Sequence, residues 1–162
     1  VCQDGFDLGE LIASKDAGVS VTDFDAGSAI AAEDLIGVDC DVWIPAARPD
    51  AITAANVDRL QAKVVAQGAN IPATTQAEQS LAQRGVLVIP DFVANAGGVI
   101  CAAVEYHQGS ESQAFASIEE KLRTNVTAVL KRATSSGETP RQAALAIAEE
   151  RVRRAMEFRR TG

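Results

Sequence analysis

Short apolar runs alternate with helical repeats through the middle of the chain. The segments DVWIPAA (41–47), AKVVAQGAN (62–70) and VLVIPDF (86–92) are β-rich and lack clean polar alternation, which is the pattern of strands covered on both faces. They are predicted to be parallel strands. Between the first two, DAITAANVDRL (50–60) sets Ile52, Ala55 and Leu60 near one helical face, with Thr53 placed to cap it. Between the second and third, TQAEQSLAQRG (75–85) carries Ala77 and Leu81 toward the sheet and stops at Gly85, a C-terminal cap signal. Two βαβ units follow. The expected class is therefore α/β, a parallel sheet of at least three strands flanked by helices.

Outside this core the pattern differs. FDLGELIAS (6–14) reads as a helix with Leu8, Leu11 and Ile12 inward, stopped by KDAG, and GVSVTDF (18–24) as a short strand or an extended connection. From residue 97 the chain turns helical. One helix is expected over about 97–108 and a long one over 111–137, where Phe115, Ile118, Leu122, Val126, Val129 and Ala133 recur at three- and four-residue spacing as one apolar stripe. Gly137 ends it. Thr139, Pro140 and Gln142 then form a capping-box start for a last helix whose buried side is expected to be Leu145, Ala148, Val152 and Met156.

Composition narrows the function classes. At 162 residues, 47% of them hydrophobic, the chain can bury a sizeable core. Its net charge of -7 argues against nucleic acid, which demands a basic face. Acidic residues crowd the first fifty positions and arginines the last twenty, an asymmetry that fits solvated surface or a subunit contact better than a ligand site. Cys2, Cys40 and Cys101 are odd in number and widely spaced, as expected of free, partly buried thiols in a reducing cytoplasm rather than of a zinc site. No apolar run is long enough to span a bilayer and no signal peptide is visible, so no membrane role is expected. The chain opens on Val1 in mid-pattern, which suggests an excised or processed piece.

Candidate chemistry lies where the three strands end. Open parallel sheets bind ligands at the carboxyl ends of their strands. Here those ends read PAAR, QGAN and PDFVANAGG: small residues with a few polar groups, Asn70 and Asn95 supplying the amides. Small residues at one such end merely permit a tight turn. Three consecutive ends of the same character, with Ala46, Asn70 and Asn95 together on one edge, favour a flat cofactor lying across them. His107, the single histidine, follows the helix begun at Gly97 by about 15 Å at 1.5 Å per residue, too far for chemistry at the strand ends. It is expected to interact with the helix dipole.

QGANIPATTQAE (67–78) followed by VIPDFVANAGGVICAAVEY (88–106) closely resembles the carboxyl-terminal, NAD(P)-binding half of the glutamate/leucine/phenylalanine/valine dehydrogenase family, and DGFDLGELIAS (4–14) extends the likeness over the whole chain. The resemblance implies oxidative deamination of an L-amino acid to a 2-oxo acid and ammonia, with NAD or NADP as cofactor, in a homo-oligomer when full length. It further implies a partial Rossmann-like fold, with 1–110 as the latter part of a nucleotide-binding domain and 111–162 as a helical segment packed on it. By the same likeness Asn70 and Asn95 approach the nicotinamide, Gly97 and Gly98 admit cofactor and substrate, Val99 walls the substrate side chain, and Ala102 stands where glutamate enzymes carry a serine.

Several departures accompany the match. Ala102 cannot hydrogen-bond a distal carboxylate, which sets leucine, valine or phenylalanine beside glutamate as the expected substrate, with the apolar ones preferred. Arg48, Pro49 and Asp50 replace a more usual run, Arg48 being expected in an exposed salt bridge, and Gln67 replaces a common glutamate. No GxGxxG fingerprint is present, nor a catalytic lysine in a glycine-rich segment, nor the assisting aspartate. Lys15, Lys63, Lys121 and Lys131 all fall on expected surfaces. The chain alone is thus expected to be inactive. The competing reading is a non-catalytic oligomerisation or weak nucleotide-binding module.

Overall fold

The computed structural model describes residues 1–159. Arg160, one of the arginines gathered at the carboxyl end, lies outside them. The chain forms two compact units, residues 1–38 and 39–162.

In the first unit, α1 (Leu8–Asp16) is capped by the Asp7 carboxylate, which accepts from the Glu10 N–H at 3.0 Å. Leu11 is half-buried, but Leu8 and Ile12, expected inward, are exposed. The unit holds no strand, so the helix has no sheet face of its own on which to bury them. GVSVTDF forms neither a strand nor an extended run but a single 3-10 turn, Val21–Asp23, whose first N–H groups include one taken by Ser20 Oγ.

The second unit carries a three-stranded parallel sheet in the order β1 (Val42–Trp43), β2 (Val64–Ala66), β3 (Leu87–Ile89). Register pairs Val42 with Val64 and Val65 with Val88. This is the expected α/β class. Coverage on both faces holds best for the central strand, where Val65 is fully buried. Val42 and Ile44 at the sheet edge stay exposed, because the helices that pack on the sheet, α2 (Thr75–Gln83) and α6 (Pro140–Arg159), do so through β3.

The first crossover departs from expectation. No α-helix forms over 50–60; only a 3-10 turn, Val57–Arg59, appears, and Ala55 is exposed. Asn56 explains it. Its Oδ1 accepts the Thr53 N–H at 2.8 Å and its Nδ2 donates to the Ala51 carbonyl at 3.0 Å, so the side chain captures groups a helix would need. Ile52 is further held by pairing with the 72–74 segment, its N–H donating to the Pro72 carbonyl at 2.8 Å. Ile52 and Leu60 are nonetheless fully buried. Arg84 closes the loop from below, its guanidinium donating to the Val57 and Leu60 carbonyls at 2.6 Å each.

The second crossover is as expected, with Ala77 and Leu81 fully buried and Gly85 at φ +74° just past the helix; Thr74, not foreseen, caps α2. A short helix not foreseen, α3 (Asp91–Ala94), precedes α4 (Gly97–Tyr106). The long α5 (Glu111–Ser136) starts at a Ser110–Gln113 capping box and ends at Gly137, φ +72°. Its stripe is inward from Ile118 onward, but Phe115 is exposed and Ala114 is buried in its place. The largest correction concerns α6. Leu145, Ala148, Val152 and Met156 are all exposed, whereas Ala143, Ala144 and Ile147 pack with Val93, Val126, Val129 and Ala133. The helix is rotated from its expected face.

Candidate functional site

The parallel register sends the carboxyl ends of all three strands to one edge, where Ala46, Asn70 and Asn95 follow β1, β2 and β3 in turn. The two amides meet. Asn95 Nδ2 donates to Asn70 Oδ1 at 2.7 Å although the residues lie 25 apart in sequence. An amide has both donor and acceptor capacity, so the pairing leaves one amide nitrogen, on Asn70, and one carbonyl oxygen, on Asn95, with no partner among the described residues. A primary carboxamide presents the complementary donor and acceptor, and on this ground the residues fit a nicotinamide.

The small residues divide into two kinds. A Cβ on Gly68 would stand 3.1 Å from Ala46 Cβ, so that glycine serves the close approach of the β1 and β2 ends. Gly98 has nothing within 4 Å of its would-be Cβ and no left-handed φ, and Gly97 would meet Ile118 only at an ordinary 3.6 Å. Neither glycine of α4 is demanded by the packing of this chain. Val99 is 78% exposed, and Ala102, one helical turn further on, is exposed beside it. The α4 face bearing Gly98, Val99 and Ala102 is thus open.

Beneath the amides is a charged network that sequence reasoning missed. Arg141, on the first turn of α6, forks onto Glu78 of α2, Nε to Oε2 at 2.6 Å and Nη2 to Oε1 at 2.8 Å. The same Nη2 reaches Asp91 Oδ1 and Gln67 Oε1, each at 2.9 Å. Gln67, fully buried, donates to Glu78 at 2.6 Å and accepts the Asp91 N–H at 3.0 Å. The guanidinium also stacks 5.5 Å from the Phe92 ring centre. Burial by itself would push the Asp91 carboxyl up, but hydrogen bonds from the Ile71 N–H, Arg141 and the Phe92 N–H outweigh it and hold the group below its ordinary range. Burial likewise opposes the charge on Arg141, and Glu78 and then Asp91 overcome it, raising its pKa. This anchor ties the first turn of α6 to α2 and α3, while Ala143, Ala144 and Ile147 face the core. The one sequence signal for it was a pair of acidic residues, Glu78 and Asp91, in the first turns of helices next to the strand ends.

Ile71, immediately after Asn70, is left-handed at φ +49°. For a Cβ-branched residue this costs about 1–2 kcal/mol. Its side chain is 64% exposed, so packing does not compel the conformation. Hydrogen bonds do: the Ile71 N–H donates to Asp91 Oδ2 at 2.9 Å, and its carbonyl accepts the N–H of Asp50, itself at φ +51°, at 3.0 Å.

Other singled-out residues fall away from the strand ends. His107 caps the carboxyl end of α4, exposed, with its ring edge-on to Tyr106 at 5.3 Å. Arg48 is exposed and, contrary to expectation, has no carboxylate partner among the described residues. The four lysines are exposed, Lys63 pairing with Asp41 at 2.7 Å. Cys2, Cys40 and Cys101 are free and half-buried, with the Cys101 thiol raised by burial and by the neighbouring Glu105. Among the described residues no helix is long and apolar enough to cross a membrane.

The architecture recurs in solved α/β dehydrogenases that act on amino acids. The hetero-hexameric glutamate dehydrogenase of Thermus thermophilus, in its Leu-bound form, superposes with a TM-score of 0.80 at 28% identity, over 98% of this chain and 38% of that one. The L-tryptophan dehydrogenase of Nostoc punctiforme gives 0.73 at 25% identity, over 94% of this chain and 43% of that one. The particular family follows from sequence: the model of the glutamate/leucine/phenylalanine/valine dehydrogenases matches residues 1–160, and the chain belongs to that family of oxidoreductases. Glutamate dehydrogenase of Aeropyrum pernix is 36% identical over 96% of this chain and 40% of its own length, and glutamate dehydrogenase A2 of Halobacterium salinarum is 39% identical over 96% and 39%. The chain therefore spans about two-fifths of the length of the curated relatives it matches.

Proposed function

We propose that this chain is the carboxyl-terminal, cofactor-binding portion of an NAD- or NADP-dependent amino-acid dehydrogenase that oxidatively deaminates an L-amino acid to a 2-oxo acid and ammonia. The observation that carries the reading is the Asn70–Asn95 pair on the strand-end edge, with one donor and one acceptor left for a carboxamide. NAD or NADP supplies the hydride acceptor when bound. The residues of this chain orient it: Asn70 and Asn95 hold the ring face, while Ala46, Gly97 and Gly98 leave room for it at the edge. Val99 and Ala102 form an apolar wall for the substrate side chain.

Catalytic lysine and aspartate come, on this reading, from the part of the enzyme that the relatives possess and these residues do not match. Residues 1–110 are then the latter part of the nucleotide-binding domain and 111–162 a helical segment packed on it. The relatives named as glutamate dehydrogenases favour glutamate as substrate, and Ala102 favours an apolar amino acid. Assembly into a homo-oligomer fits the exposed apolar Leu145, Val152 and Met156 of α6, and the free thiols fit a cytoplasmic setting.

In the complete protein, Asn70→Ala and Asn95→Ala should each weaken NADH or NADPH binding about tenfold, the loss of one well-placed hydrogen bond. Fluorescence titration measures it. Unchanged affinity in both variants overturns the assignment. Residues 1–162 by themselves should show no turnover, and calorimetry should find weak binding or none, because the pyrophosphate lacks its glycine-rich cradle.

A further inference from the structure

We propose that Arg141 is a positioning residue for the cofactor amides, acting through the Asp91 carboxylate and the backbone of Ile71. The inference rests on the assignment of Asn70 and Asn95 to the cofactor made above.

The path is continuous. The Ile71 N–H belongs to the peptide plane that begins at the Asn70 carbonyl, so whatever fixes that N–H fixes the plane from which the Asn70 side chain departs. Asp91 Oδ2 fixes it, at 2.9 Å. Asp91 also holds the second amide, because its own carbonyl accepts the Asn95 N–H at 2.8 Å. One residue thus sets both members of the pair, its side chain gripping the Asn70–Ile71 peptide and its main chain gripping Asn95. Asp91 is in turn clamped from behind by Arg141 through Oδ1 and by Gln67 through its N–H.

Two features separate this from an ordinary structural ion pair. First, Arg141 already has a two-point partner in Glu78, so charge balance for Arg141 does not require the contact to Asp91. Second, the device maintains a strained left-handed isoleucine whose side chain is mostly exposed. Strain held at a surface position with no packing return marks a place where backbone geometry itself is needed. Here that geometry is the placement of Asn70.

The test is a double-mutant cycle in the complete protein, read by NADH and NADPH fluorescence titration, with the melting temperature followed in parallel. Arg141→Lys retains the charge but not the fork, and it should weaken cofactor binding about tenfold, the usual scale for a residue that orients another. If Arg141 acts through Asn70, the Arg141→Lys/Asn70→Ala variant should bind within about twofold of Asn70→Ala alone. Adding Ile71→Gly to Arg141→Lys should restore most of the lost affinity, because glycine adopts the left-handed conformation without a clamp. Should Arg141→Lys fail to fold, Asp91→Asn replaces it in the same cycle. Fully additive losses, or a lowered melting temperature with unchanged cofactor affinity, overturn the inference. If Asn70→Ala is itself silent while Arg141→Lys weakens binding, the amide assignment fails and this inference falls with it.

Discussion

Arg141→Met removes the cation from between two carboxylates while keeping an unbranched side chain of similar reach. Four contacts at 2.6–2.9 Å are lost, to Glu78, Asp91 and Gln67. The side chains of Glu78 and Asp91 are 14% and 10% exposed, so the charges left behind are poorly hydrated. Stripping one partner from a fully buried pair costs about 3–5 kcal/mol. Arg141 itself is 32% exposed, so water already screens part of the interaction and can reach the space it leaves. A cost of about 2–3 kcal/mol at pH 7 follows. For a chain of this size that is a fall of about 4–12 °C in melting temperature.

The effect has a pH signature. Asp91 is held below its ordinary value, so its contribution is complete above the unfolded-state pKa of about 3.9 and is lost as pH falls through the lower folded-state value. Removing the cation abolishes the part of that depression that Arg141 supplies, second to the hydrogen bond from the Ile71 N–H. The gap between parent and Arg141→Met should therefore be widest near neutrality and narrow as pH falls below about 4, toward the depressed value at which Asp91 protonates in the folded parent. Thermal denaturation by circular dichroism at pH 7 and pH 3.5 measures it. A variant melting within a degree of the parent at pH 7, or a gap that widens in acid, would refute the account of the network.

Four further outcomes are expected. Gly98→Ala should raise stability by up to about 1 kcal/mol, since its Cβ meets open space within a helix, yet raise KM for cofactor or amino acid; Gly68→Ala should instead destabilise by about 1–3 kcal/mol by pressing on Ala46. Chemical denaturation paired with steady-state kinetics tells the two glycines apart. Ala143→Leu should destabilise by about 1–3 kcal/mol, because a fully buried alanine in the α5–α6 core has no room for three more carbons. Ala102→Ser in the complete enzyme should shift kcat/KM toward glutamate relative to leucine, valine and phenylalanine; a parent that already prefers glutamate tenfold or more, unchanged by the serine, would remove Ala102 from the specificity wall.

The elements legible in the sequence are those whose signals are local. Gly85 after α2, Gly137 after α5 and the Thr139–Gln142 box before α6 each satisfy or terminate hydrogen bonds within a few residues. They need no tertiary partner to act. The three parallel strands and the strand-end edge were legible for a related reason, since β-rich runs separated by crossovers leave few topologies. The crossover at 50–60 was not legible, because its backbone groups are claimed by the Asn56 side chain and by residues 72–74. Nor was the rotation of α6. Its apolar residues surround the helix, with Ala143, Ala144 and Ile147 on one side and Leu145, Val152 and Met156 on another, so periodicity alone cannot choose a face. Packing of Ala143, Ala144 and Ile147 against Val93, Val126, Val129 and Ala133, residues distant in sequence, chooses it. Asn70 and Asn95 could be named from sequence as amides at strand ends; that they bond to each other, and that the Asp91 side chain grips the strained Asn70–Ile71 peptide, arises only when the strands lie side by side.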